Sequence, residues 1–343
     1  MSVLFIHPPL QSRVSGGNIY NRHIIQQACE NHYPLVSLPV REAENRGQLL
    51  RQIARLKPRL VIWDSLLFDF VANHALTCST ITQALLIHYL PSQNPSLDPA
   101  SGTRLKQLES TAIRNCGRVI CTGASIVRIL AERHPEKLVF LCSPGVDEFF
   151  QPAPDDPFKT RVKEGIDLIS VANLLPDKGY SELFEALSNL KTHNWTWHIV
   201  GSETLDRSFS QLFRATALAM NLLPRIRFHG ILSPARVVIL LSKMDLFVNA
   251  SRYESYGMAI AEAVAAGVPA VSTRTGDAAE MILDGQSGFL VPAGNRSALQ
   301  NALKELFRNR KLLDRFRVNS RGRPRRSWQS CFENFKQACD FFP

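Results

Sequence analysis

The sequence lacks any uninterrupted apolar run of about 18 residues, the length that a membrane-spanning helix needs. Its first residues, MSVLFIHPP, also lack the basic start and the long apolar stretch of a secretory signal. They predict a short buried strand instead. We therefore expect neither a transmembrane helix nor a secretory leader.

Cysteine is scarce, and its spacing does not fit a metal site. The seven cysteines are scattered, with no CxxC, HExxH or Cys/His cluster, which argues against structural zinc. Their odd number and mostly apolar surroundings indicate buried thiols rather than a disulfide framework. Because free thiols are typical of a reducing compartment, we expect a cytoplasmic protein.

The composition indicates an ordinary globular protein. Hydrophobic residues make up 45% and charged residues 20% of the 343 positions, which excludes disordered, collagen-like and disulfide-scaffold classes. Since a domain usually has roughly 100–200 residues, the length predicts two domains.

Short β-branched or aromatic runs alternate with longer helical patterns in both halves, which predicts an α/β fold with parallel sheets. The predicted strands span residues 3–7, 35–39, 60–64, 84–89, 118–121 and 138–142, then 167–172, 196–200, 225–229, 246–249, 268–272 and 288–291. Between the halves, the segment QPAPDDP at 151–157 cannot continue a strand or a helix. We predict a first domain at 1–150, a second at 151–326 and an amphipathic C-terminal helix at 327–343.

Parallel sheets bind ligands beyond the carboxyl ends of their strands, and the most informative motif follows a predicted strand. Residues 250–269, ASRYESYGMAIAEAVAAGVP, predict a loop, a turn at Gly257 and an alanine-rich helix capped by Gly267. A helix that begins near Gly257 presents free N–H groups and the positive end of its dipole, which suits a phosphate. Glu254 can accept hydrogen bonds from sugar hydroxyls, and Glu262 can reach a vicinal diol such as a ribose.

This order of residues, Ser-Arg-Tyr-Glu-x2-Gly-x4-Glu-Ala-x3-Gly-x-Pro, resembles the donor-site motif of retaining GT-B glycosyltransferases, in particular glycosyltransferase family 4. The resemblance implies two Rossmann-like, doubly wound parallel-sheet domains facing a cleft, with the terminal helix crossing back onto the first domain. It implies transfer of a hexose-type sugar from a nucleotide-diphosphate sugar to a glycan, lipid-linked or small-molecule hydroxyl, with retention of configuration. The implied donor-binding residues in this motif are Glu254, Ser255, Tyr256, Gly257, Met258 and Glu262.

A second block, DLISVANLLPDKG at 167–179, resembles the strand and loop that open the donor domain of this family. The resemblance makes Lys178 the phosphate-binding lysine, a point charge against the diphosphate leaving group. It also makes Asn173, another donor-site position, a departure, because the family usually has arginine there. The missing cation leaves open a relaxed leaving-group site, compensation by Arg252 or Arg274, or reduced activity.

Further site residues are implied on both sides of the linker. The segment RIRFHGIL at 225–232 resembles the family's base-side strand and turn, where backbone groups of Gly230 and Ile231 would meet the nucleobase. Near the N-terminus, Gly16 and Gly17 can bring backbone amides close to a donor phosphate or an acceptor. A plain loop is the alternative there.

His88 closes a predicted strand in LLIHYLPS. It corresponds to a histidine position that touches the transferred sugar in this family, and we group it with Glu254 and Lys178 as catalytic. The alternative is a satisfied structural histidine.

No cofactor and no metal are predicted, because no Asp-x-Asp follows a strand and Asp155-Asp156 lies in the linker. In the implied mechanism the leaving diphosphate itself accepts the acceptor's proton, so that no protein nucleophile is required. One alternative is a degenerate GT-B protein that binds a nucleotide sugar or a partner without catalysis, which Asn173 supports. Another is a GT-B epimerase or phosphorylase.

The net charge of +10 is concentrated near the C-terminus. One acidic residue, Asp314, accompanies nine basic residues: Arg308, Arg310, Lys311, Arg315, Arg317, Arg321, Arg323, Arg325 and Arg326. This basic segment fits a solvated helix face or peripheral contact with anionic lipid. Nucleic acid is not an expected partner, because no aromatic residues are interleaved with the arginines in a recognition motif.

Overall fold

The computed structural model describes residues 2–10, 15–41, 46–74, 81–152, 165–323 and 325–341. The chain divides into two compact units, unit 1 with residues 1–145 and 326–343 and unit 2 with residues 146–325. The division falls between residues 145 and 146, where the sequence predicts 150 and 151. Positions 153–157 of the predicted linker lie outside the described residues.

Unit 1 contains a six-stranded parallel sheet with the order β2-β1-β3-β4-β5-β6. Its strands are β1 (Val3–His7), β2 (Leu35–Pro39), β3 (Leu60–Asp64), β4 (Thr82–Ile87), β5 (Arg118–Cys121) and β6 (Leu138–Leu141). Every residue of β1 and β3 is buried. This is expected of apolar strands covered on both faces by helices.

In the described part of unit 1, five helices connect these strands. They are α1 (Gly16–Glu30), α2 (Arg46–Leu56), α3 (Phe68–His74), α4 (Pro99–Asn115) and α5 (Ala124–Arg133). Helix α1 begins at Gly16 because the Ser15 hydroxyl accepts a hydrogen bond from the N–H of Asn18 at 3.2 Å. Gly16 and Gly17 therefore lie in the first turn of a helix rather than in a loop.

Unit 2 contains a second six-stranded parallel sheet, with the order β12-β11-β10-β7-β8-β9. Its strands are β7 (Ile166–Val171), β8 (Trp195–Val200), β9 (Ile226–Phe228), β10 (Leu246–Asn249), β11 (Ala270–Thr273) and β12 (Gly288–Val291). All twelve predicted strands occur, and their ends differ from the prediction by two residues at most. The predicted α/β fold with two parallel sheets is confirmed.

Seven helices accompany this sheet within the described part of unit 2. They are α6 (Tyr180–Ser188), α7 (Arg207–Ala219), α8 (Pro234–Leu241), α9 (Met258–Ala265), α10 (Ala278–Met281), α11 (Arg296–Arg308) and α12 (Arg310–Arg321). Helix α9 ends as predicted, with Gly267 at φ +76°. The N–H groups of Gly267 and Val268 donate to the carbonyls of Val264 and Ala263 at 2.9 and 3.0 Å, which terminates the helix.

Two arginines of the basic segment, Arg310 and Arg317, pair with a buried carboxylate. Asp245, which precedes β10, is fully buried and accepts hydrogen bonds from Arg310 at 2.8 Å and from the N–H of Asp167 at 2.8 Å. Arg317, itself buried, lies 3.5 Å from the same carboxylate. These contacts attach α12 to the sheet.

Three more arginines of the basic segment donate to backbone carbonyls. Arg323 bonds Glu280 at 2.7 Å and Arg325 bonds Phe150 at 2.8 Å. In unit 1, Arg326 bonds Ser143 at 2.9 Å. The contacts of Arg310, Arg317, Arg323, Arg325 and Arg326 thus make the segment less available to an anionic surface than its charge suggests. The exposed members of the segment are Arg308, Lys311, Arg315 and Arg325, of which Arg325 is the one bonded to Phe150.

The last helix, α13 (Trp328–Asp340), belongs to unit 1. Its carbonyl end is held by two arginines of the sheet region. Arg118 donates to Ala338 at 2.8 Å and to Phe341 at 2.6 Å, and Arg59 donates to Cys339 at 3.1 Å. Cations at this end also suit the helix dipole.

Within the described ranges, no helix combines the length and the apolar character needed to cross a bilayer. The six cysteines in these ranges are free thiols, five of them buried and Cys29 exposed. Cys78 lies outside the described residues.

Candidate active site

The strand order of unit 2 changes direction between β7 and β10, which are hydrogen-bonded neighbours although β8 and β9 come between them in sequence. In a doubly wound sheet, the loops that follow the strands at such a switch point form the ligand site. The loop after β7 carries Asn173 and Lys178, and the loop after β10 carries Glu254. The topology therefore brings the two predicted motifs to one edge.

Lys178 and Glu254 form an ion pair at this edge. The Lys178 Nζ atom lies 2.9 Å from Oε1 of Glu254, and their side chains are 22% and 21% exposed. Both groups are thus accessible to a ligand while they hold each other in place. A lysine and a carboxylate so arranged can bind a phosphate and a sugar hydroxyl side by side.

Gly179 explains why Lys178 reaches this position. Its φ is +68°, and a Cβ at this residue would lie 1.9 Å from the carbonyl oxygen of Ala250. Only glycine permits this close approach of the two loops. The N–H of Arg252 also donates to the Asp177 carbonyl at 2.8 Å, which fastens one loop to the other.

The Glu254 carboxylate is further oriented by Ser251, a buried residue that our sequence analysis missed. The Ser251 hydroxyl lies 2.8 Å from Oε1 of Glu254 and 2.8 Å from Oδ1 of Asn249. Lys178 and Ser251 both contact Oε1, so Oε2 of Glu254 is left for a ligand. Ser251 is the first residue of the Ser-Arg-Tyr-Glu motif and stands two residues after β10, which was the signal that could have identified it.

The predicted helix after Glu254 begins at Met258, with Gly257 as its N-cap at φ +103°. Ser255 and Tyr256 lie half-buried in the loop that leads to it. Among the described residues, no group bonds the N–H of Met258 or Ala259, while the next N–H, that of Ile260, donates to Gly257 at 3.0 Å. The helix thus offers two free amides at its positive end.

Glu262 lies in the second turn of α9 and is half-buried. Burial, and secondarily the negative charge of Asp147, raise the pKa of this carboxyl from its ordinary 4.5 to about 8. This shift favours the protonated carboxyl at neutral pH. In this form it can both donate and accept hydrogen bonds, as a diol requires.

Asn173 holds two loops together. Its Oδ1 accepts a hydrogen bond from the N–H of Ser202, in the loop after β8, at 2.9 Å. An arginine has no acceptor atom and could not make this bond. Asn173 therefore has a local structural role that the family's usual arginine would not supply.

The two arginines considered as replacements for the missing cation are already paired. Arg252 donates through Nε and Nη2 to the buried carboxylate of Glu182, and Arg274 bonds Asp284 at 3.0 Å on the surface. Their charges are thus offset locally. Within the described residues, Lys178 is the cation placed beside Glu254.

The predicted base-side turn follows β9. Gly230 adopts φ +64°, and its carbonyl accepts a hydrogen bond from the N–H of Gly201 at 2.9 Å. The Ile231 side chain is 60% exposed. The turn is therefore fixed to the end of β8 and leaves an apolar side chain accessible.

Unit 1 brings three further predicted residues together at its own switch point, between β1 and β3. A Cβ at Gly17 would lie 3.1 Å from the Cδ2 and Cγ atoms of His88, so the first turn of α1 packs against the imidazole. Gly16 precedes it on the exposed side of the same turn. His88 is 5% exposed, and its Nε2 atom lies 3.0 Å from Oδ1 of Asn21 and 3.5 Å from Oδ2 of Asp64.

Asn21 and Asp64 were not identified from the sequence. Asn21 lies on the buried face of α1, in line with Ile24 and Ala28. Two amides on this buried face, Asn18 and Asn21, were the available signal. Asp64 ends a fully buried strand, which is an unusual place for a carboxylate without a function or a partner.

Comparison with known proteins identifies the sequence family. Residues 153–323 match the family model described as glycosyl transferases group 1. The chain is 25% identical to mannosylfructose-phosphate synthase of Agrobacterium fabrum over 222 residues, which cover 61% of this chain and 49% of that protein. This chain spans about half the length of the curated relatives it matches.

Solved structures show the same fold along nearly the whole chain. Sucrose-phosphate synthase from Thermosynechococcus elongatus superposes with a TM-score of 0.83 at 15% identity, covering 99% of this chain and 98% of that one. Anabaena HepE in complex with UDP and glucose superposes with a TM-score of 0.76 at 18% identity, covering 100% of both chains. These similarities establish the GT-B fold. Through residues 153–323, the chain belongs to the glycosyl transferases group 1 family.

Proposed function

We propose that this protein is a retaining glycosyltransferase that moves a hexose-type sugar from a nucleotide-diphosphate sugar to an acceptor hydroxyl. The observation that carries the proposal is the Lys178–Glu254 pair, at 2.9 Å, beside the free amide end of α9. The lysine and the helix amides can bind a diphosphate. The carboxylate, with one oxygen free, can accept hydrogen bonds from sugar hydroxyls. Membership of the family supports the same reaction class.

In the proposed mechanism, Lys178 and the amides of Met258 and Ala259 stabilise the charge that develops on the leaving diphosphate. The bond from the anomeric carbon to the diphosphate breaks while the acceptor oxygen bonds the same carbon on the same face. The acceptor's proton passes to the diphosphate, so no protein nucleophile is involved. The protein contributes position and electrostatic stabilisation.

Sugar and base recognition complete the proposed donor site. Within unit 2, we assign a sugar hydroxyl to Oε2 of Glu254 and the ribose diol to Glu262. For His88, in unit 1, we propose the contact with a sugar hydroxyl that the family resemblance implies. The loop of Ser255 and Tyr256, the turn at Gly257 and the backbone at Gly230 and Ile231 surround the remaining parts of the nucleotide. Asn173 contributes to this site by holding the loop of Ser202.

A donor screen tests the proposal. UDP-, GDP- and ADP-sugars are offered to the wild type, Lys178→Ala and Glu254→Ala, and both nucleotide release and binding are measured. We expect slow release from one donor, lowered roughly a hundredfold or more in both variants, as is typical when one positioned charge-stabilising group is lost. Arg296→Ala is the matched control, because it removes an exposed ion pair of 2.7 Å in the same unit.

The same screen separates the two classes of function. Tight binding without release, even with pooled oligosaccharide and lipid acceptors, would support the non-catalytic alternative. Release that is unchanged in both variants would refute the assigned site. The anomeric proton coupling in the product, read by NMR, decides between retention and inversion.

We also propose that transfer needs neither metal nor cofactor, because no Asp-x-Asp follows a strand of either sheet. Lys178 would supply the positive charge instead. Full activity after dialysis against EDTA is the expected result, and restoration of lost activity by a divalent cation would contradict it.

For localisation, we propose a cytoplasmic enzyme, on the basis of its free thiols. Arg308, Lys311 and Arg315 would provide a weak contact with an anionic membrane, which would suit a lipid-linked acceptor. Sedimentation with anionic and with neutral liposomes tests this contact. Equal pelleting in both would remove it.

A further inference from the structure

His88 is held on several sides within unit 1. The backbone N–H of His88 donates to the Ser65 hydroxyl at 3.0 Å, and the ring of Tyr20 contacts the imidazole edge-on, with 5.2 Å between the ring centroids. Gly17 packs against the ring as described above. The ring orientation is therefore fixed before any ligand binds.

Asp64 determines the direction of the Asn21 amide. The Asp64 carboxylate is fully buried, its Oδ1 accepts from the N–H of Leu66 at 2.7 Å, and its Oδ2 contacts Nδ2 of Asn21. The oxygen atoms of a carboxylate accept hydrogen bonds, and Nδ2 of Asn21 is the atom that faces Oδ2. The group of Asn21 that faces Asp64 must therefore be the NH₂ group, and its carbonyl oxygen must face His88.

The direction of the amide in turn determines the tautomer of His88. Nε2 of His88 lies 3.0 Å from Oδ1 of Asn21, an oxygen that can only accept. Nε2 must then carry the hydrogen, and the Asp64 carboxylate at 3.5 Å favours the same arrangement. In a neutral ring, Nδ1 is left with a lone pair. No described residue bonds Nδ1. Because Nδ1 is also not one of the fully buried polar atoms without a partner, it is accessible to a ligand.

We propose that Asn21 and Asp64 are positioning residues that fix His88 in the Nε2–H tautomer, so that Nδ1 accepts a hydrogen bond from a hydroxyl of the transferred sugar. The identity of the ligand rests on the proposed function. The tautomer does not, because it follows from contacts within unit 1. The site thereby selects a sugar with a free hydroxyl at the contacted position.

Histidine tautomers are visible by long-range ¹H–¹⁵N correlation NMR on protein labelled at histidine. Spectra are recorded at about pH 8.5, where imidazoles of ordinary pKa are neutral. His88→Gln assigns the His88 signal, or His88→Asn if the first variant does not fold. We expect the wild type to show His88 protonated at Nε2. An Nδ1–H signal for His88 would overturn the proposal whether or not the protein transfers sugar.

Two variants test the positioning roles. In Asp64→Asn, one oxygen remains to accept from Leu66, and the new NH₂ group faces Asn21. The Asn21 amide should then flip, donate to Nε2 and switch His88 to the Nδ1–H tautomer. Asn21→Leu removes the acceptor and should give a mixture of tautomers. A His88 signal unchanged in both variants, with wild-type circular dichroism, would refute the role.

Ser37→Ala is the matched control. The Ser37 hydroxyl lies 2.8 Å from Nε2 of His7, so this variant removes a histidine contact in unit 1 without touching His88. Only the His7 signal should change.

Kinetics test the ligand separately, provided that the donor screen finds a substrate. Asn21→Leu and Asp64→Asn should lower kcat/KM roughly tenfold, the cost of about one hydrogen bond, while Ser37→Ala stays at the wild-type value. Donors that lack the contacted hydroxyl should show no such loss between wild type and variants. Equal losses for hydroxylated and deoxygenated donors would refute the sugar contact while leaving the tautomer assignment intact.

Discussion

The Nζ atom of Lys178 lies 2.9 Å from Oε1 of Glu254, although 76 residues of sequence separate them. The contact exists because β7 and β10 are adjacent in the sheet, so that their following loops meet. In the absence of a ligand, the carboxylate offsets the lysine charge. An anionic diphosphate would compete for Lys178 and release Glu254 toward the sugar, which couples the two halves of donor recognition.

Loss of the Ser251 hydroxyl should impair activity more than stability. Its single proton can be donated to Glu254 or to Asn249 at any one time, and Lys178 remains as a second partner of the carboxylate. We expect Ser251→Ala to lower kcat/KM roughly tenfold, in line with ~1.5 kcal/mol for a hydrogen bond to a charged group. Donor-release kinetics measure this. A wild-type rate would mean that Lys178 alone orients Glu254.

A side chain at Gly179 should separate the two loops of the site. Gly179→Ala would place Cβ 1.9 Å from a backbone oxygen at a φ of +68°, so we expect a loss of ~3 kcal/mol in unfolding free energy and loss of donor binding. Urea unfolding and donor titration measure the two effects. Gly102→Ala is the control, because a Cβ at this position in α4 would have no atom within 4 Å, and the variant should be more stable by about 0.5–1 kcal/mol.

Reversion of Asn173 to the family's usual arginine should destabilise the protein. Asn173→Arg and Asn173→Ala both leave the buried Ser202 without the acceptor that bonds its N–H at 2.9 Å. We expect each to lower the unfolding free energy by ~1–2 kcal/mol, whereas Asn173→Asp keeps an acceptor and stays near the wild type. Chemical denaturation compares the three. An arginine variant as stable as the wild type would show that Ser202 finds another partner.

Glu262 should make stability depend on pH. Because the pKa of its carboxyl is about 8 in the folded chain against an ordinary 4.5, the native state retains a proton that the unfolded chain releases in this window. The stability that Glu262 contributes is fully present below pH 4.5 and is lost as the pH rises toward 8. The unfolding free energy should therefore fall between these two pH values.

Urea midpoints measured between pH 4.5 and pH 8 give the slope of stability against pH and test whether Glu262 causes it. Glu262→Gln cannot titrate and should flatten the slope. Glu280→Gln, at an exposed position on α10, should retain it. Identical slopes in the wild type and Glu262→Gln would assign the pH dependence to other groups.

Removal of the Asp245 carboxylate should cost more stability than any exposed ion pair. Asp245→Ala removes the fully buried carboxylate that pairs with Arg310 at 2.8 Å and lies 3.5 Å from the buried Arg317, which keeps Asp314 at 3.2 Å as an anionic partner. We expect a loss of about 3 kcal/mol, the lower end of the range for a broken buried ion pair. Arg274→Ala breaks an exposed pair with Asp284 and should cost less than about 1 kcal/mol. Thermal and urea unfolding compare the two variants.

Much of the fold, and the residues that form the ion pair of the candidate site, could be predicted from the sequence. Strands such as β10 are short, apolar and bounded by turn residues, so their periodicity is a local property. Glu254 and Lys178 were found because each stands in a motif directly after a strand. Their contact with each other depends on the strand order, which no local pattern encodes.

The rest depends on long-range packing. The role of Asn21 is visible only when α1 lies beside the ends of β3 and β4, and the role of Asn173 only when Ser202 is adjacent to it. Charge counting also failed for the basic segment. A count of arginines cannot reveal that Arg317 is buried against Asp245 or that others bond carbonyl oxygens.

The two arginines that hold the end of α13 affect the order in which the chain can fold during synthesis. Arg118 and its partner Ala338 are 220 residues apart, whereas unit 2 is one continuous stretch. A ribosome emits residues 146–325 before α13, so unit 2 can complete its core while unit 1 still lacks its last helix. Unit 1, whose sheet emerges first, is thus completed last. Until α13 is synthesised, the surface that it covers can bind chaperones or aggregate.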